Sequence, residues 1–236
     1  PPAPRLDWAY FFDIDGTLLN SEGLGRASMR RALGSIFGSP GNPAYRYDGK
    51  TDKQIVRDVM RLEGHSDEHI DSRMDELIAT YLEGLREGVK SGKFNVRPHE
   101  GVVDLLDALE PRKDVVLGLL TGNVESGART KLKAAGIDPD RFRVNAFGSD
   151  HEDRPELPAV AQRRASEQLG LEIVGNRMIV IGDTPADIAC GRSLGAKAIG
   201  VATGHYTVEQ LQEHDPYAVF QSLRNTQQVL EKIVDA

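Results

Sequence analysis

Carboxylates cluster at the ends of two short apolar runs of the sequence. Asp13 and Asp15 close the first run two positions apart, and Gly16 after them permits a tight turn. Asp183 follows a second run, and Asp187, about one helical turn later, can point back toward the same place. Taken alone, each segment is equally typical of a polar turn or a helix cap.

A hydroxyl residue follows a third apolar run. Thr121-Gly122-Asn123 comes after Val115 to Leu120 and leads into a predicted helix. A hydroxyl and fresh main-chain N–H groups would therefore stand at a natural anion-binding position. In isolation, a Thr or Asn helix cap is the simpler interpretation.

The elements that must position these residues alternate between short apolar strands and amphipathic helices. This pattern predicts right-handed βαβ units and a parallel sheet covered on both faces, an α/β fold with a Rossmann-like core. The predicted strands are Trp8 to Asp13, Val115 to Leu120, Arg143 to Phe147, Met178 to Ile181 and Ala198 to Val201, and the predicted helices are Gly101 to Leu109, Val124 to Ala135, Pro158 to Leu169, Ala186 to Leu194 and Leu223 to Val234.

The carboxyl ends of parallel strands converge on one crevice, beside the switch in strand order. Asp13, Asp15, Asp183 and Asp187 would then crowd together. Like charges this close cost on the order of several kcal/mol in a partly buried site, so either a cation neutralises them or some are protonated. Because all the ligands on offer are oxygens, the favoured cation is Mg²⁺.

A long helical stretch interrupts the alternation. From about Ser21 to Lys90 apolar residues recur at helical spacing, no strand pattern appears, and breaks at 38–50 and 64–66 predict three or four helices. We interpret this stretch as an all-helical cap domain inserted after the first strand. The predicted domains are residues 1–20 and 95–236 for the catalytic core and residues 21–94 for the cap.

Composition excludes some partners. The chain has 236 residues, with 29 Lys and Arg against 36 Asp and Glu, and the resulting charge of −7 argues against a nucleic acid or an anionic membrane as the main partner. No run approaches the roughly 20 apolar residues that span a bilayer. Cys190 is the only cysteine and cannot form an intramolecular disulfide, which fits the cytoplasm.

The order and spacing of these motifs resemble the haloacid dehalogenase-like superfamily, over nearly the whole chain and with a cap of the phosphoglycolate-phosphatase-like type. Asp13-Ile14-Asp15-Gly16-Thr17-Leu18 resembles its first motif, Thr121 its second and Gly182-Asp183-Thr184-Pro185-Ala186-Asp187 its fourth. The resemblance implies that Asp13 is the nucleophile, Asp15 the general acid and base, and Thr121 a hydrogen-bond donor to the phosphate. It also implies that Asp13, the main-chain carbonyl of Asp15 and Asp183 hold Mg²⁺, with Asp187 ligating or supporting it.

The third motif departs from the family pattern. The family normally offers a Lys there, whereas this chain reads Asp153-Arg154-Pro155-Glu156-Leu157-Pro158. Arg154 is the candidate replacement, since a guanidinium can pair with both a carboxylate and phosphate oxygens. Arg163 or Arg164 on the following helix could serve instead, and an exposed turn residue is the remaining interpretation.

The predicted cap contributes a second candidate segment. Tyr47-Asp48-Gly49-Lys50-Thr51-Asp52 resembles the stretch that precedes a cap helix in phosphoglycolate-phosphatase-like members and can face the substrate. Gly49 and Lys50 are candidate substrate-binding residues, and Lys50 could meet a second anionic group. The alternative is that Thr51 or Asp52 is an ordinary N-cap and Lys50 lies in solvent.

The main hypothesis is Mg²⁺-dependent hydrolysis of a small phosphorylated metabolite through an aspartyl-phosphate, by a monomer or weak dimer. Thr121, Arg154 and the turn N–H groups would stabilise charge on the phosphate oxygens; the substrate-binding turn residues are Gly16, Thr17, Gly122 and Asn123. A β-phosphoglucomutase-like mutase is the enzymatic alternative. From another class, a phospho-accepting regulatory domain or an inactive binding domain also uses such residues.

Overall fold

A parallel sheet forms the centre of the molecule. The computed structural model describes residues 8–234. Six strands form it, and every neighbouring pair is parallel; in spatial order they are Val144–Ala146, Val115–Leu120, Trp8–Phe12, Met178–Gly182, Lys197–Val201 and Ala218–Phe220. The parallel α/β core predicted from the sequence is therefore confirmed. The strands are β1 (Trp8–Phe12), β4 (Val115–Leu120), β5 (Val144–Ala146), β6 (Met178–Gly182), β7 (Lys197–Val201) and β8 (Ala218–Phe220), and a separate antiparallel pair joins β2 (Leu19–Asn20) to β3 (Arg97–Pro98).

The central strand explains why the sheet is covered on both faces. Side chains alternate across a strand, and in β1 Tyr10 and Phe12 enter one buried apolar cluster while Ala9 and Phe11 enter another. Helices supply the opposite side of each cluster. The core helices are α4 (Val102–Leu109), α5 (Glu125–Ala134), α6 (Leu157–Leu169), α7 (Pro185–Cys190), α8 (Val208–Gln212) and α9 (Thr226–Val234).

Some elements differ from the sequence-based prediction. The helix predicted over Ala186 to Leu194 is wrong in its second half: α7 ends at Cys190, and a 3₁₀ turn covers Arg192–Leu194. Strand β8 and helix α8 were not predicted, because segments of three and five residues are too short to show a hydrophobic period.

Three helices are inserted between β2 and β3. They are α1 (Leu24–Phe37), α2 (Asp52–Leu62) and α3 (Asp67–Ser91), and they pack around an apolar cluster that includes Leu33, Met60 and Leu77. Thr51 and Ser66 cap α2 and α3 through their side-chain oxygens. The all-helical insertion is thus observed, whereas the division at residues 20/21 and 94/95 stays a prediction. No helix among residues 8–234 is long and apolar enough to cross a membrane.

The start of α2 docks on the loop that follows β4. The N–H of Asp52 donates to the carbonyl of Gly122 at 2.8 Å, and the Asp52 carboxylate accepts from the N–H of Val124 at 2.9 Å. A Cβ at Gly122 would lie 2.1 Å from the carbonyl oxygen of Lys50, so only glycine allows this approach. The Thr51 hydroxyl adds a bond to the carbonyl of Glu152. The helical insertion is therefore held directly over the carboxyl edge of the sheet.

Candidate functional site

Three neighbouring strands deliver the residues singled out by the sequence. Asp13, Thr121 and Asp183 each follow the last residue of a strand, and those strands, β1, β4 and β6, are adjacent in the sheet. The N–H of Asp13 continues the sheet by donating to the carbonyl of Ile181 at 2.9 Å. The connections run from β1 toward one edge and from β6 toward the other, so these residues lie at the switch in strand order, where parallel sheets bind ligands.

Three of the four aspartates form a buried acid cluster. Ligand oxygens of Asp13, Asp183 and Asp187 all lie within 4.8 Å of one another. Burial and, next, the charge of Asp187 raise the pKa of Asp13 to about 7, against the opposing charge of Arg154. Burial and the charge of Asp13 likewise raise the pKa of Asp183 well above its usual range. A cation at the cluster would relieve this repulsion, and the all-oxygen donor set is one that Mg²⁺ prefers.

Arg154 is the cation that the protein itself supplies to this cluster. Its Nη2 lies 2.5 Å from Oδ1 of Asp187 and 3.4 Å from Oδ2 of Asp13. The side chain is buried, and its Nε has no hydrogen-bond partner. Burial alone would lower the pKa of Arg154, but the charges of Asp187 and Asp13 outweigh it and raise the pKa. The exposed-turn interpretation of Arg154 is therefore wrong.

The alternative arginines point elsewhere. Arg163 is exposed on α6, and Arg164 binds the carboxylate of Asp150 and the carbonyl of Asn145. Of the three candidates, Arg154 is the one that the structure brings to the acid cluster.

Asp187 is engaged on both of its oxygens. Oδ2 accepts from the N–H and the hydroxyl of Thr184 at 3.0 and 2.9 Å, which forms a capping box at the start of α7. Oδ1 accepts from Arg154. Asp187 thus orients Arg154 and caps the helix, while its oxygen remains part of the acid cluster. Its role as a metal ligand or as support for one stays a prediction.

The side chain of Asp183 occupies a space that exists because residues 16 and 204 are glycines. The hydroxyl of Thr17 donates to its Oδ1 at 3.0 Å. A Cβ at Gly16 or at Gly204 would lie 2.2 or 2.1 Å from its Oδ2. Gly16 also has a φ of +81°, a left-handed conformation that favours glycine. The first motif thus positions the aspartate of the fourth motif.

Replacing Gly16 by Ala is expected to destabilise the protein strongly. The left-handed backbone alone costs about 1–2 kcal/mol for a residue with a Cβ, and the contact with Asp183 adds to this cost. Gly136→Ala is a matched control, because Gly136 has a φ of +76° and open space around its Cβ position. Urea unfolding measures both variants. Equal losses of unfolding free energy would contradict the proposed contact.

Asp15 does not join the other three aspartates. Its two carboxylate oxygens lie 3.0 Å from Nζ of Lys131, and Oδ2 accepts from Nδ2 of Asn123 at 2.8 Å. Its side chain is 46% exposed. Desolvation inside the cavity would raise the pKa of Asp15. The charge of Lys131 and the hydrogen bonds from Asn123 and Lys131 outweigh this effect and lower the pKa. The expected crowding of four carboxylates is thus corrected to a cluster of three with a separately paired fourth.

Thr121 is arranged as a hydrogen-bond donor. Its Oγ1 accepts from the N–H of Asn123 at 3.1 Å and from Nδ2 of Asn123 at 2.8 Å. With both lone pairs used, the hydroxyl proton is left to donate, and the residue lines the cavity over the site. The predicted anion-binding position is therefore stereochemically suitable.

The turn after Asp13 uses its own N–H groups. The N–H of Gly16 donates to the carbonyl of Leu19, and that of Thr17 donates to the carbonyl of Ile14. The hydroxyl of Thr17 is committed to Asp183. In this conformation the N–H groups of both residues and the Thr17 hydroxyl are used within the protein, while Gly16 lines the cavity. Substrate binding by Gly16 and Thr17 stays a prediction.

A cavity of about 940 Å³ lies over the acid cluster. The sheet edge forms one wall, and the helical insertion, including Gly49 and Lys50, forms the other. Gly49 passes so close to the core that its Cβ would lie 2.8 Å from that of Ala186. Nζ of Lys50 bonds to the hydroxyl of Tyr45 and lies 3.7 Å from Asp58. Lys50 is thus not in open solvent, because its ammonium group already has partners within the insertion.

Sequence reasoning did not identify Lys131. It lies on the buried stripe of α5 together with Gly127, Ala128 and Leu132. A lysine on the apolar face of an amphipathic helix that starts directly after Thr121-Gly122-Asn123 is the signal that could have revealed it.

Comparison with known proteins agrees with this geometry. Residues 10–201 match the model of a family described as haloacid dehalogenase-like hydrolase. Pyrophosphatase PpaX of Bacillus pumilus is 27% identical over 210 residues, covering 87% of this chain and 88% of the relative. N-acetylmuramic acid 6-phosphate phosphatase of Pseudomonas aeruginosa is 27% identical over 215 residues, covering 87% and 86%.

Solved structures show the same fold. A hydrolase from Pseudomonas syringae superposes with a TM-score of 0.72 at 21% sequence identity, covering 96% of this chain and 99% of that protein. The family match spans most of the chain and includes Asp13, Thr121 and Asp183. The resemblance and the expectation of a hydrolytic enzyme are confirmed. This chain belongs to the haloacid dehalogenase-like hydrolase family.

Proposed function

We propose that the protein is a Mg²⁺-dependent phosphatase that hydrolyses a small phosphomonoester through an aspartyl-phosphate on Asp13. One observation carries the proposal: Asp13 belongs to the buried acid cluster and also lines the same cavity as Asp15 and Thr121. A carboxylate, a second acid and a hydroxyl donor are thus offered to one substrate. The cavity volume suits a small phosphorylated metabolite.

The acid cluster fits a divalent cation. Three buried carboxylates face one buried guanidinium, which leaves an excess of negative charge inside the protein. Asp13 and Asp183 would hold Mg²⁺ together with the main-chain carbonyl of Asp15, and Asp187, whose oxygen lies in the same cluster, would ligate or support it. When bound, the ion reduces the repulsion between a carboxylate nucleophile and a phosphate dianion.

The protein's own side chains divide the reaction into two steps. The first step requires the protonated form of Asp15, which is a minor form in the unliganded site because Lys131 and Asn123 lower its pKa. An oxygen of Asp13 bonds to phosphorus, the bond from phosphorus to the leaving oxygen breaks, and protonated Asp15 gives that oxygen its proton. In the second, water bonds to phosphorus as Asp15 takes its proton, and the bond to Asp13 breaks to release phosphate. Thr121 and Arg154 donate to the phosphate oxygens, whose charge grows in each transition state.

The helical insertion encloses the reacting groups. Its contacts through Thr51 and Asp52 place the cavity wall over the sheet edge, which limits the access of bulk water. Relatives of similar identity are named for a pyrophosphate and for a sugar phosphate. Residues of this wall would determine which leaving groups the cavity accepts. We therefore propose the phosphomonoester class and assign no single metabolite.

A phosphosugar mutase would use the same two aspartates. It differs in passing the phosphoryl group to a second hydroxyl instead of to water. Incubation with a sugar phosphate separates the two: free phosphate indicates the hydrolase, and an isomeric sugar phosphate indicates the mutase. A phospho-accepting regulatory domain would instead yield a stable phosphoprotein without turnover.

The wild-type protein is expected to hydrolyse p-nitrophenyl phosphate only in the presence of a divalent cation. Without it, Asp13 and Asp183 repel each other and the incoming phosphate. Release of p-nitrophenolate is measured with added Mg²⁺, after chelation by EDTA, and after Mg²⁺ is returned in excess. Turnover that persists under chelation would refute the proposed metal dependence, and no turnover under any of these conditions would refute the phosphatase.

A further inference from the structure

The proposed reaction assigns no role to the ion pair between Lys131 and Asp15. Lys131 lies on α5 of the core, 3% exposed, where an unpaired charge would be costly. Its Nζ is 3.0 Å from each oxygen of Asp15 and 2.8 Å from Oδ1 of Asn123. Asn123 in turn donates to Asp15 and to Thr121 at 2.8 Å each. Four side chains thus form one connected network.

The network restricts the Asp15 carboxylate in two directions. The ammonium group contacts both oxygens, and the amide of Asn123 contacts one of them. Lys131 itself has little freedom, because a Cβ at Gly25 of α1 would lie 2.9 Å from its Nζ. The hydroxyl of Tyr81, on α3, faces the same space. The helical insertion therefore confines the lysine that holds Asp15.

We propose that Lys131 is a positioning residue, which acts through Asp15 by fixing its carboxylate where it exchanges a proton with the leaving oxygen. This inference rests on the proposed phosphatase function. Proton transfer requires a hydrogen-bond distance to the reacting oxygen, and a side chain that is 46% exposed would otherwise sample several rotamers. Lys131 and Asn123 restrict Asp15 to one orientation, beside the hydroxyl of Thr121.

The first test is a double-mutant cycle with Asp15. The value of kcat/KM for phenyl phosphate is measured by phosphate release in the wild type, Lys131→Met, Asp15→Asn and the double variant. We expect Lys131→Met to lower kcat/KM by about 100-fold in the wild-type background, the loss that follows a displacement of about 1 Å. In the Asp15→Asn background the same change should have less than about a twofold effect. Equal losses in both backgrounds would overturn the proposal.

The leaving group provides a second readout that a purely structural lysine would not change. kcat/KM covers the steps up to departure of the leaving group, so hydrolysis of the aspartyl-phosphate does not enter the comparison. p-Nitrophenolate departs with little protonation, whereas an alkoxide needs a proton. Loss of the ammonium group also removes the main cause that lowers the pKa of Asp15, which increases its protonated fraction. If positioning dominates, Lys131→Met should still reduce kcat/KM more for ethyl phosphate than for p-nitrophenyl phosphate. A uniform reduction would contradict a role through Asp15.

Chemical rescue guards against a variant that is merely misfolded. Lys131→Cys can be alkylated with 2-bromoethylamine, which restores an ammonium group at nearly the original length, or with iodoacetamide, which adds a neutral amide. Because position 131 is as buried as Cys190, the alkylation is carried out on unfolded protein in a Cys190→Ala background and the protein is then refolded; Cys190→Ala treated in the same way is the control. Recovery of kcat/KM with the amine alone supports the proposal, and equal recovery with both reagents, or with neither, overturns it. If the wild type shows no turnover, the proposed phosphatase function is wrong. If the wild type is active and only the Lys131 tests fail, the positioning role alone is wrong.

Discussion

Replacing Asp13 by Asn is expected to abolish phosphatase turnover, with a loss of about 10⁴-fold or more, the scale on which removal of a covalent nucleophile acts. An amide oxygen cannot accept the phosphoryl group as a carboxylate does. The change is almost isosteric, and it removes a negative charge that lies buried beside Asp187 and Asp183. Without metal, the free energy of unfolding of the variant should therefore be at least as large as that of the wild type.

Three measurements check this expectation. Phosphate release gives turnover, urea unfolding gives stability, and intact-protein mass after a rapid acid quench detects a phosphoryl group on the protein. The wild type should show a phosphorylated fraction and Asp13→Asn should show none. Asp104→Asn on the exposed side of α4 is the matched control and should behave as the wild type. Turnover by Asp13→Asn above a few per cent of the wild type would exclude Asp13 as the nucleophile.

Replacing Arg154 by Met is expected to damage both stability and activity. The variant leaves buried Asp187 and Asp13 without their guanidinium, and breaking a buried pair in this way costs about 3–5 kcal/mol. Removal of a donor to the phosphate oxygens should lower kcat by about 100-fold to 1000-fold. Urea unfolding and p-nitrophenyl phosphate hydrolysis, each with and without Mg²⁺, measure the two effects.

Two companion variants make the Arg154 result specific. Arg163→Met removes an exposed arginine of the adjacent helix and should change neither quantity by more than a small margin. Arg154→Lys keeps the charge but not the planar fork, so an intermediate loss is expected. If Arg163→Met were as damaging as Arg154→Met, the assignment of the third-motif cation to Arg154 would be wrong.

The sequence predicted the sheet and the residues at its carboxyl edge because both depend on local patterns. Asp13 and Asp183 directly follow apolar runs, and parallel strands leave few ways to arrange such runs. The pairing of Asp15 was not predictable in the same way. Its partner Lys131 is distant in sequence, and its burial depends on how α1 and α3 pack over α5.

The helical insertion marks a second limit. Its helices follow from periodicity and from the caps at Thr51 and Ser66. The contacts of Lys50 do not follow from periodicity or caps. They join Lys50 to Tyr45 and Asp58 because a loop folds back on α2. A charged residue beside a site can be predicted from sequence, whereas whether another side chain already neutralises it is a property of the packed structure.

In the loop after β4, main-chain atoms hold the insertion while side chains face the site. In this loop both hydrogen bonds with the insertion use a main-chain atom of the core: the carbonyl of Gly122 and the N–H of Val124. The side chains of Thr121 and Asn123 are left to face the site. A main-chain bond survives most substitutions, so this loop can exchange its chemical groups during divergence while the insertion keeps its alignment, provided that residue 122 remains glycine.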